Sequence, residues 1–259
     1  MSARLEVARE AAIAAGHTLL ELRADVISRG AAATKSSATD PVTSADVAAQ
    51  QIIAAQLTAA YPDDGLLGEE DLKRDSLSGW QWLIDPLDGT VNYLYGRDDW
   101  SVSIAAADAG GTAVAVVHAP ATGRTYTAIR GQGSWLGDRR LHVRDHTTVS
   151  EALVGTGFSY LSAGRERQAA TLARLLPEVA DIRRSGSAAL DLAAVAGGEL
   201  DAFYEDDLNP WDWAAGALIA TEAGAVVRPL PGPDHRSGVL AAPVHLAPLL
   251  AGLVTHGAS

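Results

Sequence analysis

The sequence predicts a layered α/β fold, and three features of the chain support this prediction. The first 60 residues carry two helical patterns, in which apolar residues recur every three or four positions. Between about residues 66 and 141, short apolar runs are separated by Gly, Pro and Asp, which is typical of strands. After about residue 145, strand-like and helix-like segments alternate, and this order favours helices packed on a sheet.

The N-terminal region is predicted to contain two helices. Residues 3–26 place Leu5, Ala12 and Leu19 on one helical stripe, and a second helix is predicted over residues 43–60, where Tyr61-Pro62 ends it. The segment between them, residues 30–40, is rich in Ala, Thr and Ser and is predicted to be a loop.

The middle of the chain is predicted to form a sheet that is largely antiparallel. The predicted strands are residues 66–67, 82–84, 101–107, 113–118 and 124–128, the last three forming a meander. The segment GQGSWLGDRRL (131–141) is predicted to be a further hairpin. Its G-x-G would also begin a dinucleotide-binding loop, but the third glycine and the helix that such a loop requires do not follow.

In the second half of the chain, predicted strands alternate with predicted helices. Strands are predicted at residues 152–156, 182–183 and 202–204, and helices at residues 165–176, 187–196 and 210–223. We expect one domain over residues 1–259, with an N-terminal half of about 1–145 and a C-terminal half of about 146–259. The best candidate for the boundary between the halves is residues 143–150.

The composition excludes several classes of function. The net charge of −12 and the pI of about 4.9 make nucleic acid and acidic membrane surfaces unsuitable partners. Because cysteine is absent, disulfides, thiolate catalysis and Cys-ligated metals are excluded, and a reducing cytoplasm is the expected location. No run of about 18 apolar residues occurs, so no transmembrane helix is predicted.

The segment WLIDPLDGTVNYLYG (82–96) is the richest candidate for chemistry. Its apolar strand is predicted to end at Asp85 because Pro86 interrupts ladder pairing, and Asp88 follows in a turn. Two carboxylates that converge there would bind a divalent cation, and the N–H groups of Gly89 and Thr90 would hold an anion beside it. The pattern fits equally well with two Asp residues that cap a turn.

Three further acidic positions have the same two interpretations. Glu69, in GLLGEED, follows an apolar run but also resembles solvated surface. Asp212 lies in the first turn of a helix that begins at Asn209-Pro210, where the helix dipole favours an anion. Thr43 and Asp46 have the T-x-x-D spacing of a capping box.

Taken together, these segments resemble the inositol monophosphatase family of magnesium-dependent, lithium-sensitive phosphatases. The resemblance extends over nearly the whole chain, and the D-P-x-D-G-T element with a distant W-D-x-A-A-G is its most specific part. The matching segments are DPVTSAD (40–46), GEE (68–70), IDPLDGTVNY (84–93), GSAALDL (186–192) and WDWAAG (211–216). The fold that this resemblance implies is an αβαβα sandwich of the inositol monophosphatase and fructose-1,6-bisphosphatase type, commonly a homodimer.

The resemblance implies a multi-metal Mg²⁺ site and assigns roles to individual residues. Thr90 and Asp46 match the pair that orients and helps activate the attacking water, and Glu69 is counted with them as catalytic. The implied metal ligands are Glu69, Asp85, the carbonyl of Leu87, Asp88 and Asp212, with Asp85 bridging two ions. The implied substrate contacts are Leu87, Asp88, Gly89, Thr90, Gly186, Ser187, Ala188, Glu205 and Asp212.

The activity that the resemblance implies is direct hydrolysis of a small phosphate monoester without a phosphoenzyme. Inositol 1-phosphate is favoured, because Asn92 stands at the fourth position after Asp88 and Glu205 could accept hydrogen bonds from ring hydroxyls. Histidinol phosphate is the alternative, followed by fructose 1,6-bisphosphate and adenosine 3′,5′-bisphosphate. A different class of function is a non-catalytic module that binds Mg²⁺ or a polyol. After Gly96 the chain departs from the family pattern at residues 97–99, which would alter the entrance to the site.

Overall fold

The computed structural model describes residues 1–30, 33–34, 41–230 and 237–255. Its helices are α1 (Ser2–Arg29), α2 (Ser44–Ala60), α3 (Thr90–Leu94), α4 (Ser162–Leu175), α5 (Ala188–Ala196), α6 (Pro210–Glu222) and α7 (Ala247–Thr255). Among these residues no helix combines the length and the apolar composition that a membrane crossing requires.

The strands form two large sheets and one small pair. The first sheet has the order β10-β9-β8-β7-β6-β5-β3-β4, the second has the order β12-β11-β13-β15-β14, and β1 pairs with β2. The strands up to the small hairpin are β1 (Ala33–Thr34), β2 (Pro41–Val42), β3 (Gly65–Gly68), β4 (Lys73–Arg74), β5 (Gln81–Asp88), β6 (Ser101–Asp108), β7 (Gly111–Ala119), β8 (Arg124–Ile129), β9 (Gly133–Leu136) and β10 (Arg139–Arg140). The remaining strands are β11 (Leu153–Thr156), β12 (Asp181–Arg183), β13 (Ala202–Leu208), β14 (Ala225–Leu230) and β15 (Ser237–Pro243).

The buried apolar residues arrange these elements in five layers. On β6 and β7, residues such as Val102 and Val116 pack with α1 and α2, whereas Ala105 and Val117 on the opposite face pack with α5 and α6. Helices α5 and α6 also pack on one face of the second sheet, and α4 and α7 cover its other face. The order is therefore αβαβα, and the predicted fold class is confirmed.

Helices α5 and α6 form the central layer because their facing residues are small. A Cβ added at Gly216 of α6 would lie 2.7 Å from the Cβ of Leu192 of α5, so only glycine permits this approach. Both sheets are thereby brought close to one pair of helices.

Most predicted elements are present, with boundaries that differ by a few residues. The meander of β6, β7 and β8 and the hairpin of β9 and β10 are antiparallel as predicted. The strand predicted over residues 202–204 continues to Leu208, and β14, β15 and α7 were not predicted. The loop predicted over residues 30–40 lies mostly outside the described residues, although Ala33–Thr34 within it pairs with Pro41–Val42. The single-domain interpretation and its two halves remain predictions.

Candidate active site

Strand β5 brings two carboxylates to the same side of the first sheet. Asp85 pairs with Ser103 of β6 and Asp88 pairs with Ser101, so two residues of β5 lie opposite one residue of β6. Residues three positions apart face opposite sides of a regular strand. The extra residue in this bulge turns the carboxylates of Asp85 and Asp88 to the same side of the sheet. The prediction that the strand ends at Asp85 is therefore wrong: Pro86 lies inside the bulge, where the missing N–H costs no ladder bond.

Glu69 lies beside this strand because β3 is parallel to β5. Gly68 pairs with Ile84, and the N–H of Glu69 donates to the carbonyl of Ile84 at 3.2 Å. The next residue is held by α2, since Gln50 exchanges hydrogen bonds of 2.7 and 3.0 Å with the backbone of Glu70. The acidic cluster is thus fixed at the carboxyl end of a buried strand and is not merely solvated surface.

A left-handed glycine separates β5 from the short helix α3. Gly89 has φ 95°, and a Cβ at this position would lie 2.9 Å from the carbonyl oxygen of Asp99, so both the conformation and the space require glycine. Helix α3 begins at the next residue, Thr90.

The hydroxyl of Thr90 connects α3 to the start of α2. Its Oγ1 lies 3.2 Å from Oδ1 of Asp46 and 3.0 Å from the carbonyl oxygen of Leu87, and it donates to these two acceptors. The other oxygen of Asp46 accepts hydrogen bonds from the N–H and the hydroxyl of Thr43, which completes the predicted capping box. Asp46 is fully buried, and it serves both as the cap of α2 and as the partner of Thr90.

Asp88 is held by the start of α5. Its Oδ2 accepts hydrogen bonds from the hydroxyl of Ser187 at 2.5 Å and from the N–H of Ala189 at 2.9 Å. Burial raises the pKa of Asp88 to about 6, hydrogen bonds from Ser187 and Ala189 oppose this shift, and repulsion from the carboxylate of Glu69 adds to it. The N-terminus of α5 therefore favours the ionised form of a carboxylate, which burial disfavours.

Asp212 occupies the first turn of α6, where Asn209 and Pro210 begin the helix as predicted. Its Oδ2 accepts a hydrogen bond from the N–H of Asn209 at 2.7 Å, within a capping box. As with Asp46, the capping interpretation and the site interpretation both hold, because the cap fixes the orientation of a carboxylate that also lines the cavity.

These elements surround a cavity of about 260 Å³ at the junction of the two sheets. Of the predicted site residues, it is lined by Glu69, Asp85, Leu87, Asp88, Gly89, Thr90, Gly186, Ala188, Glu205 and Asp212. Two predicted residues contact the lining residues from outside the cavity surface: Asp46 contacts Thr90, and Ser187 contacts Asp88. In the described part of the chain, no three acidic or histidine side chains are already drawn together as a metal-binding group.

Glu205 approaches the cavity from strand β13. Burial raises its pKa well above the ordinary value, and repulsion from Asp191, Asp88 and Asp212 adds to the shift, which Arg184 opposes. Its carboxylate lies against the backbone of Gly157: a Cβ at that position would be 2.0 Å from Oε2.

One wall of the cavity was not predicted from the sequence. It consists of the loop that follows β11, the residue that follows β12 and residues after Glu205, namely Gly157, Phe158, Ser159, Tyr160, Leu161, Arg184, Asp207, Leu208, Asn209 and Trp211. The available signal was the position of the loop, since β11 is parallel to β13 and their carboxyl ends meet at one edge.

A sequence profile described as "Inositol monophosphatase family" matches residues 1–256. The chain belongs to the inositol monophosphatase family. It is 44% identical over 238 residues to a protein of Mycobacterium leprae named inositol-1-monophosphatase, which covers 86% of this chain and 81% of that protein. It is 41% identical over 244 residues to a Pseudomonas aeruginosa protein named Nus factor SuhB, and the match covers 90% of this chain and 87% of that protein.

The solved structures agree with this family and with the fold. The extragenic suppressor protein suhB from Bartonella henselae superposes with a TM-score of 0.89 at 34% identity, covering 98% of this chain and 99% of that one. The layered α/β architecture is therefore that of the inositol monophosphatase family.

This family member departs from the expected pattern at residues 97–99, and none of these residues lines the acidic cavity, although the carbonyl of Asp99 lies against Gly89. Asp98 and Asp99 line a second cavity of about 310 Å³, together with Arg183 and Asp191. Asp98 also forms an ion pair with Arg23 of α1 at 3.0 Å. Asp98 and Asp99 thus lie on a neighbouring surface, and the effect of residues 97–99 on the entrance stays a prediction.

Asn92, which the sequence analysis used only as an indicator of substrate, has a structural contact as well. Its side-chain amide donates hydrogen bonds to the carbonyls of Asp99 at 2.6 Å and of Ser185 at 2.9 Å. In this inositol monophosphatase fold, Asn92 therefore connects α3 to the segment that leads into α5.

Proposed function

We propose that the protein is a Mg²⁺-dependent phosphate monoester hydrolase that acts on inositol 1-phosphate. The observation that carries the proposal is the convergence of separate elements on one cavity: Glu69, Asp85, Asp88, Thr90 and Asp212 all line it. Relatives named inositol-1-monophosphatase support the same activity.

The residues of this cavity fit a divalent cation. Asp85 and Asp88 are 3% and 8% exposed. Burial raises the pKa of Asp88, and the repulsion from Glu69 that adds to this rise is what a bound cation would relieve. Carboxylate and carbonyl oxygens are the ligands that Mg²⁺ prefers. The groups that would hold it are the side chains of Glu69, Asp85, Asp88 and Asp212 and the carbonyl of Leu87. When bound, Mg²⁺ lowers the pKa of a coordinated water and stabilises a departing alkoxide.

The Thr90–Asp46 pair has the geometry to orient a water molecule. The single hydroxyl hydrogen of Thr90 is directed to Asp46 and to the carbonyl of Leu87. The Oγ1 of Thr90 therefore presents lone pairs to the cavity, where it accepts a hydrogen bond from water and turns the water oxygen toward phosphorus. Asp46 holds this orientation because its other oxygen is fixed by Thr43.

The remaining residues would bind the substrate. The amides of Gly89 and Thr90, at the start of α3, would hold phosphate oxygens. Glu205, with Gly186 and Ala188, would contact the alcohol part of the ester. Charge neutralisation and positioning supply most of the acceleration in phosphoryl transfer, so these groups suffice without a phosphoenzyme.

Features that belong to the family complete the proposal. It includes a homodimeric assembly and lithium inhibition, both expected from family membership, and a cytoplasmic location, expected from the absence of cysteine. The alternative substrates are histidinol phosphate, fructose 1,6-bisphosphate and adenosine 3′,5′-bisphosphate.

The test is phosphate release from inositol 1-phosphate and the three alternative esters, with Mg²⁺, with chelator and with lithium. We expect Mg²⁺-dependent release that is fastest with inositol 1-phosphate.

Asp88→Asn should lower the rate by roughly two to four orders of magnitude, as for loss of a strong transition-state contact. It should keep its thermal stability, because an amide oxygen still accepts from Ser187 and no charge is buried. Asp75→Asn, at an exposed position outside the cavity, is the matched control. Near-normal turnover by folded Asp88→Asn would contradict the assignment.

A second candidate is a non-catalytic module that regulates a partner. The relatives named Nus factor SuhB favour it, at 41% identity in Pseudomonas aeruginosa. The presence of every expected acid, and of the Thr90–Asp46 contact, supports the enzyme instead. Absence of phosphate release from every ester at any Mg²⁺ concentration would favour the module.

A further inference from the structure

Arg184 brings a positive charge to a cavity whose other charged residues are acidic. Among the described residues that line the cavity it is the one cation, and the acidic residues are Glu69, Asp85, Asp88, Glu205, Asp207 and Asp212. It lies in the loop between β12 and α5, and the mechanism proposed for phosphate release does not use it. A guanidinium in such a wall calls for an explanation from its own chemistry.

The backbone on the C-terminal side of Arg184 is held in place. The carbonyl of Ser185 accepts a hydrogen bond from Asn92 at 2.9 Å, and the N–H of Ser187 donates to Oγ of Ser185 at 3.2 Å. Gly186 has a left-handed backbone with φ 96°, and a Cβ there would lie 2.5 Å from Nη1 of Arg184. The guanidinium therefore lies directly against Gly186, in the turn that leads into α5.

The side chain of Arg184 is available to a ligand. In the described part of the chain no hydrogen bond or ion pair holds its guanidinium, and the side chain is exposed. The neighbouring Arg183, by contrast, pairs with Asp181. The charge of Arg184 opposes the rise that burial causes in the pKa of Glu205 and in that of Asp191. Arg184 thus acts on the same part of the wall as Glu205, with its N–H donors open to a substrate.

We infer that Arg184 is a specificity-determining residue, which donates a hydrogen bond to a hydroxyl of the alcohol part and repels an ammonium at the same position. The inference rests on the proposed phosphatase function and defines its substrate class: monoesters of uncharged polyols. In inositol 1-phosphate a hydroxyl stands on the carbon next to the ester carbon, where histidinol phosphate carries its ammonium. A hydroxyl can donate to Glu205 and accept from Arg184, whereas an ammonium has donors only and shares the charge of the guanidinium.

The acidic residues of the wall explain why a cation is needed there. By themselves the carboxylates would attract an ammonium and favour histidinol phosphate over inositol 1-phosphate. Discrimination against a positive charge requires another positive charge nearby, and Arg184 is the described lining residue that supplies it. A guanidinium at this position excludes the wrong ester by repulsion and binds the right one through a hydrogen bond.

The experiment measures kcat/KM for inositol 1-phosphate, histidinol phosphate and 4-nitrophenyl phosphate, whose alcohol carries neither a hydroxyl nor an ammonium. The variants are Arg184→Gln, which removes the charge, and Arg184→Lys, which keeps the charge and loses the planar fork. The matched control is Arg183→Gln, the same change one residue away and outside the lining of this cavity. Thermal unfolding checks that each variant folds, and both Arg184 variants should be as stable as the wild type.

Relative to 4-nitrophenyl phosphate, we expect Arg184→Gln to lower kcat/KM for inositol 1-phosphate by roughly tenfold and to raise it for histidinol phosphate by roughly threefold. Arg184→Lys should keep the low value for histidinol phosphate, because the charge remains. Changes in opposite directions separate this role from general neutralisation of the acidic cavity, which would alter all three esters together.

The decisive quantity is the ratio of kcat/KM for inositol 1-phosphate to that for histidinol phosphate. A ratio in Arg184→Gln that stays within about threefold of the wild type overturns the inference, as does an equal fall in Arg183→Gln. If the wild type hydrolyses none of the esters, the proposed function fails instead.

Discussion

Gly157 lies so close to Glu205 that adding one methyl group at Gly157 should displace the Glu205 carboxylate. We expect this change to impair recognition of the alcohol part of the substrate and to leave the rest of the site in place. Gly157 does not have a left-handed backbone, so alanine fits its conformation, but the new Cβ would lie 2.0 Å from Oε2 and 2.2 Å from Oε1 of Glu205. An ordinary contact begins near 3.4 Å, so the carboxylate has to move by about 1.4 Å. Misplacement of a positioning group by about 1 Å costs roughly a hundredfold in rate.

We therefore expect Gly157→Ala to lower kcat/KM for inositol 1-phosphate by roughly 30- to 100-fold, or about 2–3 kcal/mol of transition-state stabilisation. The assay is phosphate release with saturating Mg²⁺, accompanied by thermal unfolding. Glu205→Ala should show a loss of similar size, because both changes remove the same acceptor from its place.

Gly252→Ala is the matched control, since a Cβ there meets nothing within 4 Å. Activity of Gly157→Ala within threefold of the wild type would refute the role of Glu205 in binding the alcohol. A large loss in Gly157→Ala with normal activity in Glu205→Ala would assign the effect to the loop instead.

Two further predictions concern stability. Arg4 donates two hydrogen bonds to buried Asp64, at 3.1 and 2.9 Å, and its guanidinium lies 4.1 Å from the ring centroid of Tyr61 and 4.2 Å from that of Trp80. Arg4→Ala should lower the free energy of unfolding by about 3 kcal/mol, measured in urea, whereas a loss under 1 kcal/mol would refute this. Burial raises the pKa of Asp191 from 3.8 to about 7, so the folded state binds a proton more tightly than the unfolded state. With chelator present, the contribution of Asp191 to the unfolding free energy should rise by about 2–3 kcal/mol as the pH falls from 8 to 5. Asp191→Asn should remove that increment, and an unchanged pH profile would contradict the assignment.

Elements with local signals were predictable from the sequence. The start of α2 carries its own capping residues, Thr43 and Asp46, and α6 begins with Asn209 and Pro210, so both helices were located to within a residue at that end. Local hydrogen bonds fix such ends before any tertiary contact forms.

The missed elements depend on distant partners. Residues 238–243 of β15 are buried on both faces and show no alternation, while β14 contains Pro229 and α7 contains Gly252. Periodicity does not identify a strand of that kind, and proline and glycine lower the local propensity of the other two. Their positions are set by pairing and packing with the rest of the second sheet.

The residues of the site divide in the same way, into those with local motifs and those placed by distant contacts. The acidic residues that line the cavity were identified because their motifs are short and specific, but the wall that contains Asp207 was not. Its conformation depends on the register between β13 and β15, which are separated by α6 and β14 in the chain. The bulge at Pro86 was likewise misjudged, because proline was expected to end a strand that the neighbouring β6 continues to pair.

Asp46 and Asp212 each have two roles, and this constrains which substitutions the protein can accept in evolution. Each of these carboxylates begins a helix and also serves the cavity. Under the proposed function, substitutions at these positions that abolish turnover also weaken a helix start, by about 1 kcal/mol each. A lineage that abandoned hydrolysis would therefore still be selected to retain them, so their persistence in a relative testifies to folding as much as to chemistry.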